Sequence, residues 1–253
     1  PYRFYLKATL RLRPLDADET LEHIDPRTFG TLFHEAQERI FRALQAQDLL
    51  PLDEEDRSQV EDTVHRVFAD CRLVWEEELA PAVVDVWRRD LETMRQDLQG
   101  WAQRLVDEAD WQPIHAELAF GIAQRTGLDE ASRERPVEVQ GHWLRGAIDW
   151  VEQHLSRGLR VVDHKTGRDA LYVDGQRRSM ELRHIAGGHH LQPLLYAAVT
   201  EAITQKHVES GGLYYCRSRS GFRRYEVVFD DEAKGVLLDV LQTSISAVQG
   251  GRL

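Results

Sequence analysis

Cysteine, lysine and long apolar runs are what this sequence has least of. Cys71 and Cys216 are its two cysteines in 253 residues. Far apart and in no CxxC pair, they exclude a disulfide framework or a complete cysteine cluster within the chain, and they fit a reducing compartment such as the cytoplasm. No run of about 18 apolar residues occurs, so no membrane-spanning helix is expected. The N-terminus lacks the pattern of a signal peptide. The chain opens on Pro1 without methionine and reads as a piece of something longer. Lysine supplies 4 of the 32 basic residues and arginine the other 28. A lysine here is therefore a departure from the default cation.

What is present describes a globular chain, large enough for one sizeable domain or two small ones. The formal charge of −11 argues at first sight against a nucleic-acid partner. Its distribution argues the other way. Residues 53–110 hold 17 Asp/Glu against 7 Arg, whereas residues 165–224 hold 10 Lys/Arg against 5 Asp/Glu. Both stretches can be ordinary solvated surface. They can also mark an acidic helical segment set apart from a basic binding side.

The central stretch is 146–167, read as two strands joined by a turn around Ser156, Arg157 and Gly158. Side chains two apart on a strand share a face, which places Trp143, Arg145, Ala147, Asp149 and Val151 together, and likewise Leu159, Val161, Asp163 and Lys165. Paired as a hairpin, the strands bring Asp149 next to Asp163 and Lys165. Carboxylates gathered on an apolar surface are costly unless a cation joins them. A divalent metal held by carboxylate oxygens is one solution; arginine partners in an ordinary hairpin are another. With a metal, the set suits phosphodiester hydrolysis, and the compact amine of Lys165 could orient or deprotonate a water where a guanidinium could not.

Around this stretch the chain reads as α/β. Residues 1–13 suggest a short helix. Asp25-Pro26 caps a helix with Phe29, Leu32, Phe33, Ala36, Ile40 and Leu44 on one stripe and His34 and Glu38 on its flank. Residues 53–109 read as long helices broken at Pro81, with Gly100 a second candidate break and Glu76, Glu77 and Glu78 on a solvated face. Strands follow from Ile114, where Glu117 calls for a partner, an arginine before a metal. After a loop with Arg177, Arg178 and Arg183, an apolar helix starts near Leu191 and carries Gln192 and Tyr196 one turn apart at its N-terminal end, a place suited to phosphate. A second hairpin has Arg217, Arg219, Arg223 and Arg224 around its turn, expected to contact DNA phosphates. An amphipathic helix from Asp231 closes the chain.

In order, these segments resemble the PD-(D/E)XK nuclease superfamily, and within it the RecB-like domains of AddB-type helicase–nuclease subunits and related CRISPR-adaptation exonucleases. The resemblance runs through the opening segment Pro1 to Leu6, Gly30-x3-His34-x3-Glu38, Leu144 to Asp149, Val161-Val-Asp163-His-Lys165-Thr-Gly, and Gln192-x3-Tyr196. It implies a single nuclease domain over 1–253 with a restriction-endonuclease-like core, a mixed central sheet flanked by helices, and a helical insertion or cap at 53–110. It also implies that His34, Asp149, Asp163 and the carbonyl of His164 bind Mg or Mn, that Lys165 is catalytic, and that Gln192 and Tyr196 orient the lysine or the strand. The expected activity is exonuclease-type DNA cleavage in recombination, repair or defence, with a helicase as partner. The alternative is a nuclease-like module that binds DNA or a helicase without cutting. The sequence departs from many relatives at Trp150, where they have an arginine. The flanks that carry the cysteines of an iron–sulfur cluster in many of them are not in the sequence given, so the chain either lost the cluster or was cut inside it.

Overall fold

The computed structural model describes residues 23–81, 83–122, 129–169, 172–173, 176–177 and 191–249. The helix expected over 1–13 and the loop residues Arg178, Arg183, Gly187 and Gly188 lie outside them.

Helix α1 (Pro26–Ala46) begins where expected: the Asp25 carboxylate accepts from the backbone N–H groups of Arg27 and Thr28, and proline fills the first turn. Its stripe of Phe29, Leu32, Phe33, Ala36, Ile40 and Leu44 is buried, together with Gln37 and Phe41. Helix α2 (Arg57–Leu79) ends before Pro81, with Ala80 in a left-handed conformation, and α3 (Val84–Asp107) follows. Gly100 does not break α3. A Cβ there would stand 2.5 Å from the ring of Phe222, so the glycine admits an aromatic side chain against the helix.

Strands β1 (Trp111–Phe120), β4 (Gly146–His154), β5 (Leu159–Lys165), β8 (Val208–Tyr215) and β9 (Arg224–Val228) form one sheet in the order β1-β4-β5-β8-β9. Only the β5–β8 pairing is parallel. Two small ribbons stand apart from it, β2 (Val137–Val139) with β3 (His142–Leu144), and β6 (Tyr172–Val173) with β7 (Gln176–Arg177). The expected face running from Trp143 through Arg145 to Val151 is therefore interrupted: Trp143 belongs to the β2–β3 ribbon and is exposed, and β4 starts only at Gly146.

Helices α1, α2 and α3 cover one sheet face, sharing a core with Ala116, Trp150, Val162, Tyr214 and Cys216. Helices α4 (Gln192–Thr204) and α5 (Asp231–Gln249) cover the other, against Leu118, Ile148, Val151, Leu159 and Val161. This makes a three-layer α/β fold with a mixed sheet. Trp101 and Trp150, both fully buried, meet edge to face with centroids 5.2 Å apart. Rings of this size each contribute roughly 4–6 kcal/mol of burial. Among the described residues no helix is long and apolar enough to cross a membrane. Both cysteines are free and buried.

Candidate active site

The antiparallel ladder of β1 and β4 pairs Ala116 with Trp150 and Leu118 with Ile148, passing over Glu117 and Asp149 between them. Ala116 and Trp150 lie in the core beneath α1–α3, whereas Leu118 and Ile148 lie in the core beneath α4 and α5. Residues two apart on a regular strand share a face, so both strands change face at this point. Glu117 accommodates the change with φ at +53°, a left-handed conformation that costs a non-glycine residue about 1–3 kcal/mol. The kink brings its carboxylate and that of Asp149 to His34 on α1. His34 Nδ1 stands 3.7 Å from Glu117 Oε1 and 3.6 Å from Asp149 Oδ2. Donor atoms of all three residues lie within 4.8 Å of one another.

The end of β5 adjoins this group. The His164 N–H donates to Asp149 Oδ2 at 2.8 Å. Asp163 is buried and ion-paired with Lys165 Nζ at 2.5 Å. The same ammonium donates to Gln192 Oε1 at 3.0 Å, and Gln192 Nε2 donates to Tyr196 Oη at 3.3 Å. The glutamine amide thus links the lysine to the tyrosine. Its place is set by how closely α4 lies on the sheet: a Cβ at Gly211 of β8 would stand 2.1 Å from the carbonyl oxygen of Pro193. A backbone atom cannot swing aside, so only glycine lets the first turn of α4 sit there.

Three acids near one histidine and one lysine leave a marked electrostatic signature. Burial pushes the Asp149 carboxyl up to about 7; His34 works against the rise, while the negative charges of Asp163 and Glu117 add to it. Burial alone would lower the His34 pKa, but Glu117, Asp149 and Asp163 together raise it. Tyr196 is pushed up by burial to about 12 and keeps its proton at neutral pH. Glu38, one turn beyond His34, is engaged by Arg42 at 2.7 Å. Carboxylate oxygens with one imidazole are a donor set suited to Mg or Mn, and a divalent cation would offset the burial and the neighbouring negative charge that lift Asp149. On that ground the residues fit the metal.

Of the residues singled out from the sequence, the fold brings His34, Asp149, Asp163, Lys165, Gln192 and Tyr196 to one end of the sheet. The imidazole of His164 turns away from them. It is buried among Trp101, Trp150 and Tyr214, bonded through Nδ1 to Gln37 Oε1 at 3.1 Å, and held well below its usual pKa by burial. Trp150 is core and has no path to a nucleic acid. Glu117 reverses its expectation: its ionic partner among the described residues is His34 and not an arginine. The kink that aims it has no local mark in the sequence beyond a lone carboxylate in an apolar strand.

Three of the four arginines of the β8–β9 turn are engaged by carboxylates, which the sequence did not lead one to expect. Arg217 pairs through Nε with the fully buried Asp97 of α3 at 2.7 Å, and Asp97 also accepts from the N–H and hydroxyl of Ser218. Arg224 lies against Glu108 and Glu152, and Arg223 against Asp169. These three are structural charges.

No curated protein matches the chain. An arrangement of acids around a histidine, with a lysine two residues beyond an aspartate on the adjoining strand, nevertheless has a counterpart among known families. The family model described as the PD-(D/E)XK nuclease superfamily matches residues 1–249, and the chain belongs to that superfamily.

Proposed function

We propose that the protein is a Mg- or Mn-dependent deoxyribonuclease of RecB-like type, cutting DNA from strand ends in recombination, repair or defence. The observation that carries this reading is the convergence of His34, Glu117 and Asp149 beside the Asp163–Lys165–Gln192 chain. His34, Glu117 and Asp149 would hold the metal, with Asp163 and the His164 carbonyl as further donors. A divalent cation bound there polarises a phosphoryl group and acidifies a water.

The residues of the chain divide the remaining work. Lys165 presents a compact cation beside the metal donors, where it can orient the attacking water or balance charge that develops on the phosphate. Gln192 and Asp163 both hold the ammonium, and Tyr196 bonds the glutamine. Tyr196 stays protonated and serves as a hydrogen-bonding group rather than a base. Asp149 must give up its proton before its oxygen can serve as a ligand.

Digestion of a supercoiled plasmid and an end-labelled oligonucleotide with Mg, Mn or EDTA tests the reading. Cleavage is expected with either metal, none with EDTA, and the plasmid should survive longer than the linear strand. A chain that binds both DNAs and cuts neither in any metal would be a binding module instead.

A further inference from the structure

With Arg217, Arg223 and Arg224 committed to carboxylates, the basic side of the molecule reduces to fewer residues than its sequence suggests. Arg219 is exposed and bonds through Nη2 to the carbonyl oxygen of Thr166, at 2.6 Å. Thr166 directly follows Lys165. Beside it the two loops are laced together: Ser220 Oγ donates to the Gly167 carbonyl at 3.3 Å, and Arg223 and Tyr225 both reach Asp169. Arg168 lies within this lacing and is exposed. Among the described residues neither Arg168 nor Arg219 has a carboxylate partner.

That pairing is unusual in a chain where acids outnumber bases 43 to 32. Two guanidinium groups near one another repel: burial and the charge of Arg217 lower the Arg219 pKa, Asp97 works against them, and Arg168 adds a smaller lowering. A fold rich in acids had carboxylates to offer, yet among the described residues none is ion-paired or hydrogen-bonded with either guanidinium. The anchoring is rigid as well, since the Asp97 carboxylate fixes Arg217 and Ser218 immediately before Arg219. One N–H of Arg219 is used on Thr166, which leaves the rest of its donor fork for an oxyanion.

We propose that Arg168 and Arg219 form a phosphate-binding site that grips the nucleic-acid backbone within one or two nucleotides of the bond to be cut. The ligand is a phosphodiester, recognised by charge and fork geometry and without regard to base. The proposal rests on the nuclease reading for the identity of its ligand, but its test does not require cleavage.

The test measures fluorescence anisotropy of a labelled single-stranded oligonucleotide with EDTA present, between about 50 and 200 mM salt. Arg168→Gln/Arg219→Gln is expected to lower the slope of log affinity against log salt by about 0.7 for each phosphate no longer neutralised, or about 0.9 on a duplex. At the lowest salt each arginine replaced weakens binding about 10-fold, equally for unrelated base sequences. Arg219→Lys should recover most of the affinity, because charge remains. Arg66→Gln, an exposed arginine on α2, is the control for net charge and should change little. A double variant with wild-type slope and affinity overturns the site, and so does a wild-type chain that binds no strand at low salt. A reduced slope in a chain that never cuts keeps the site and removes the nuclease reading. Cleavage with unchanged KM in the double variant does the reverse.

Discussion

Arg160 and Asp149 stand on neighbouring strands of one sheet, and each lies among carboxylates. At the Arg160 end, Glu152, Glu108 and Glu226 approach the guanidinium at 2.6, 3.0 and 3.0 Å, and Arg224 adds a second cation. At the Asp149 end, Glu117, Asp149 and Asp163 share only His34 and Lys165 among the described residues. Arg160 has three carboxylate partners: its buried charge is paired with the buried Glu152, while Glu108 and Glu226 remain open to solvent. At the other end the cations are one lysine and a titratable histidine, and burial, with Asp163 and Glu117 adding to it, lets the Asp149 carboxyl hold its proton up to about 7. The first cluster is closed upon itself. The second is chemically open, and openness of that kind belongs to a site that takes up a cation and a substrate.

Lys165 gives the widest separation between the two ends. Lys165→Ala should lose about 100- to 10,000-fold in single-turnover cleavage per folded molecule, far more than any fall in melting temperature from leaving Asp163 without its ammonium can explain. Lys165→Arg should not restore the rate, since a planar, permanently charged fork cannot occupy the position of an amine held between Asp163 and Gln192. A folded Lys165→Ala protein cutting at the wild-type rate would remove the lysine from the chemistry.

Arg160→Ala should do the opposite. Removing the cation leaves the buried Glu152 with only Arg224, 3.4 Å away, and breaking such a buried pair typically costs up to about 3–5 kcal/mol. For a chain of this size each kcal/mol moves the melting temperature by about 2–4 °C. Cleavage per folded molecule should be unchanged. Loss of activity with no loss of stability would contradict the division drawn between the two clusters.

The smallest effect is the dependence of stability on pH. Asp149 keeps its proton in the folded chain to about 7 but loses it at its ordinary value of 3.8 when unfolded. Between these values the folded state binds more protons, so this group's contribution to stability falls as pH rises from about 4 to about 7 and then levels off. Asp149→Asn removes that fall. In EDTA the variant should therefore match the wild type near pH 4 and melt a few degrees higher near pH 7.5. Adding Mn should then favour the wild type, since binding to the folded state adds about 2.7 kcal/mol at 100 times Kd. A difference between the two proteins that is constant across this pH range would refute the assignment.

Much of this arrangement is legible in the sequence, for reasons of distance along the chain. Asp149, Asp163 and Lys165 sit within 17 positions on two strands joined by a tight turn, so alternation alone brings them together. The α1 stripe and its Asp25-Pro26 start are equally local. His34 needed the family resemblance, because helical spacing does not say what a flanking histidine will meet across the fold. Glu117 depends on a backbone kink opposite another strand and left no periodic trace. The carboxylate partners of Arg217 and Arg224 were out of sight because Asp97 lies 120 residues from Arg217 and Glu152 lies 72 from Arg224. A run of basic residues shows charge but not where its counter-charges lie.

The tie between Asp97 and the turn that follows β8 bears on how this chain can be shortened. Residues 53–110 look expendable on paper, an acidic helical stretch between α1 and the first strand. Yet Asp97 anchors Arg217 and Ser218, and Gly100 receives Phe222. A deletion variant without α2 and α3 would strand a buried guanidinium, uncover an aromatic ring, and free the turn that carries Arg219. Anyone seeking a minimal catalytic fragment should therefore cut elsewhere, because these helices work as scaffolding for the turn that carries Arg219.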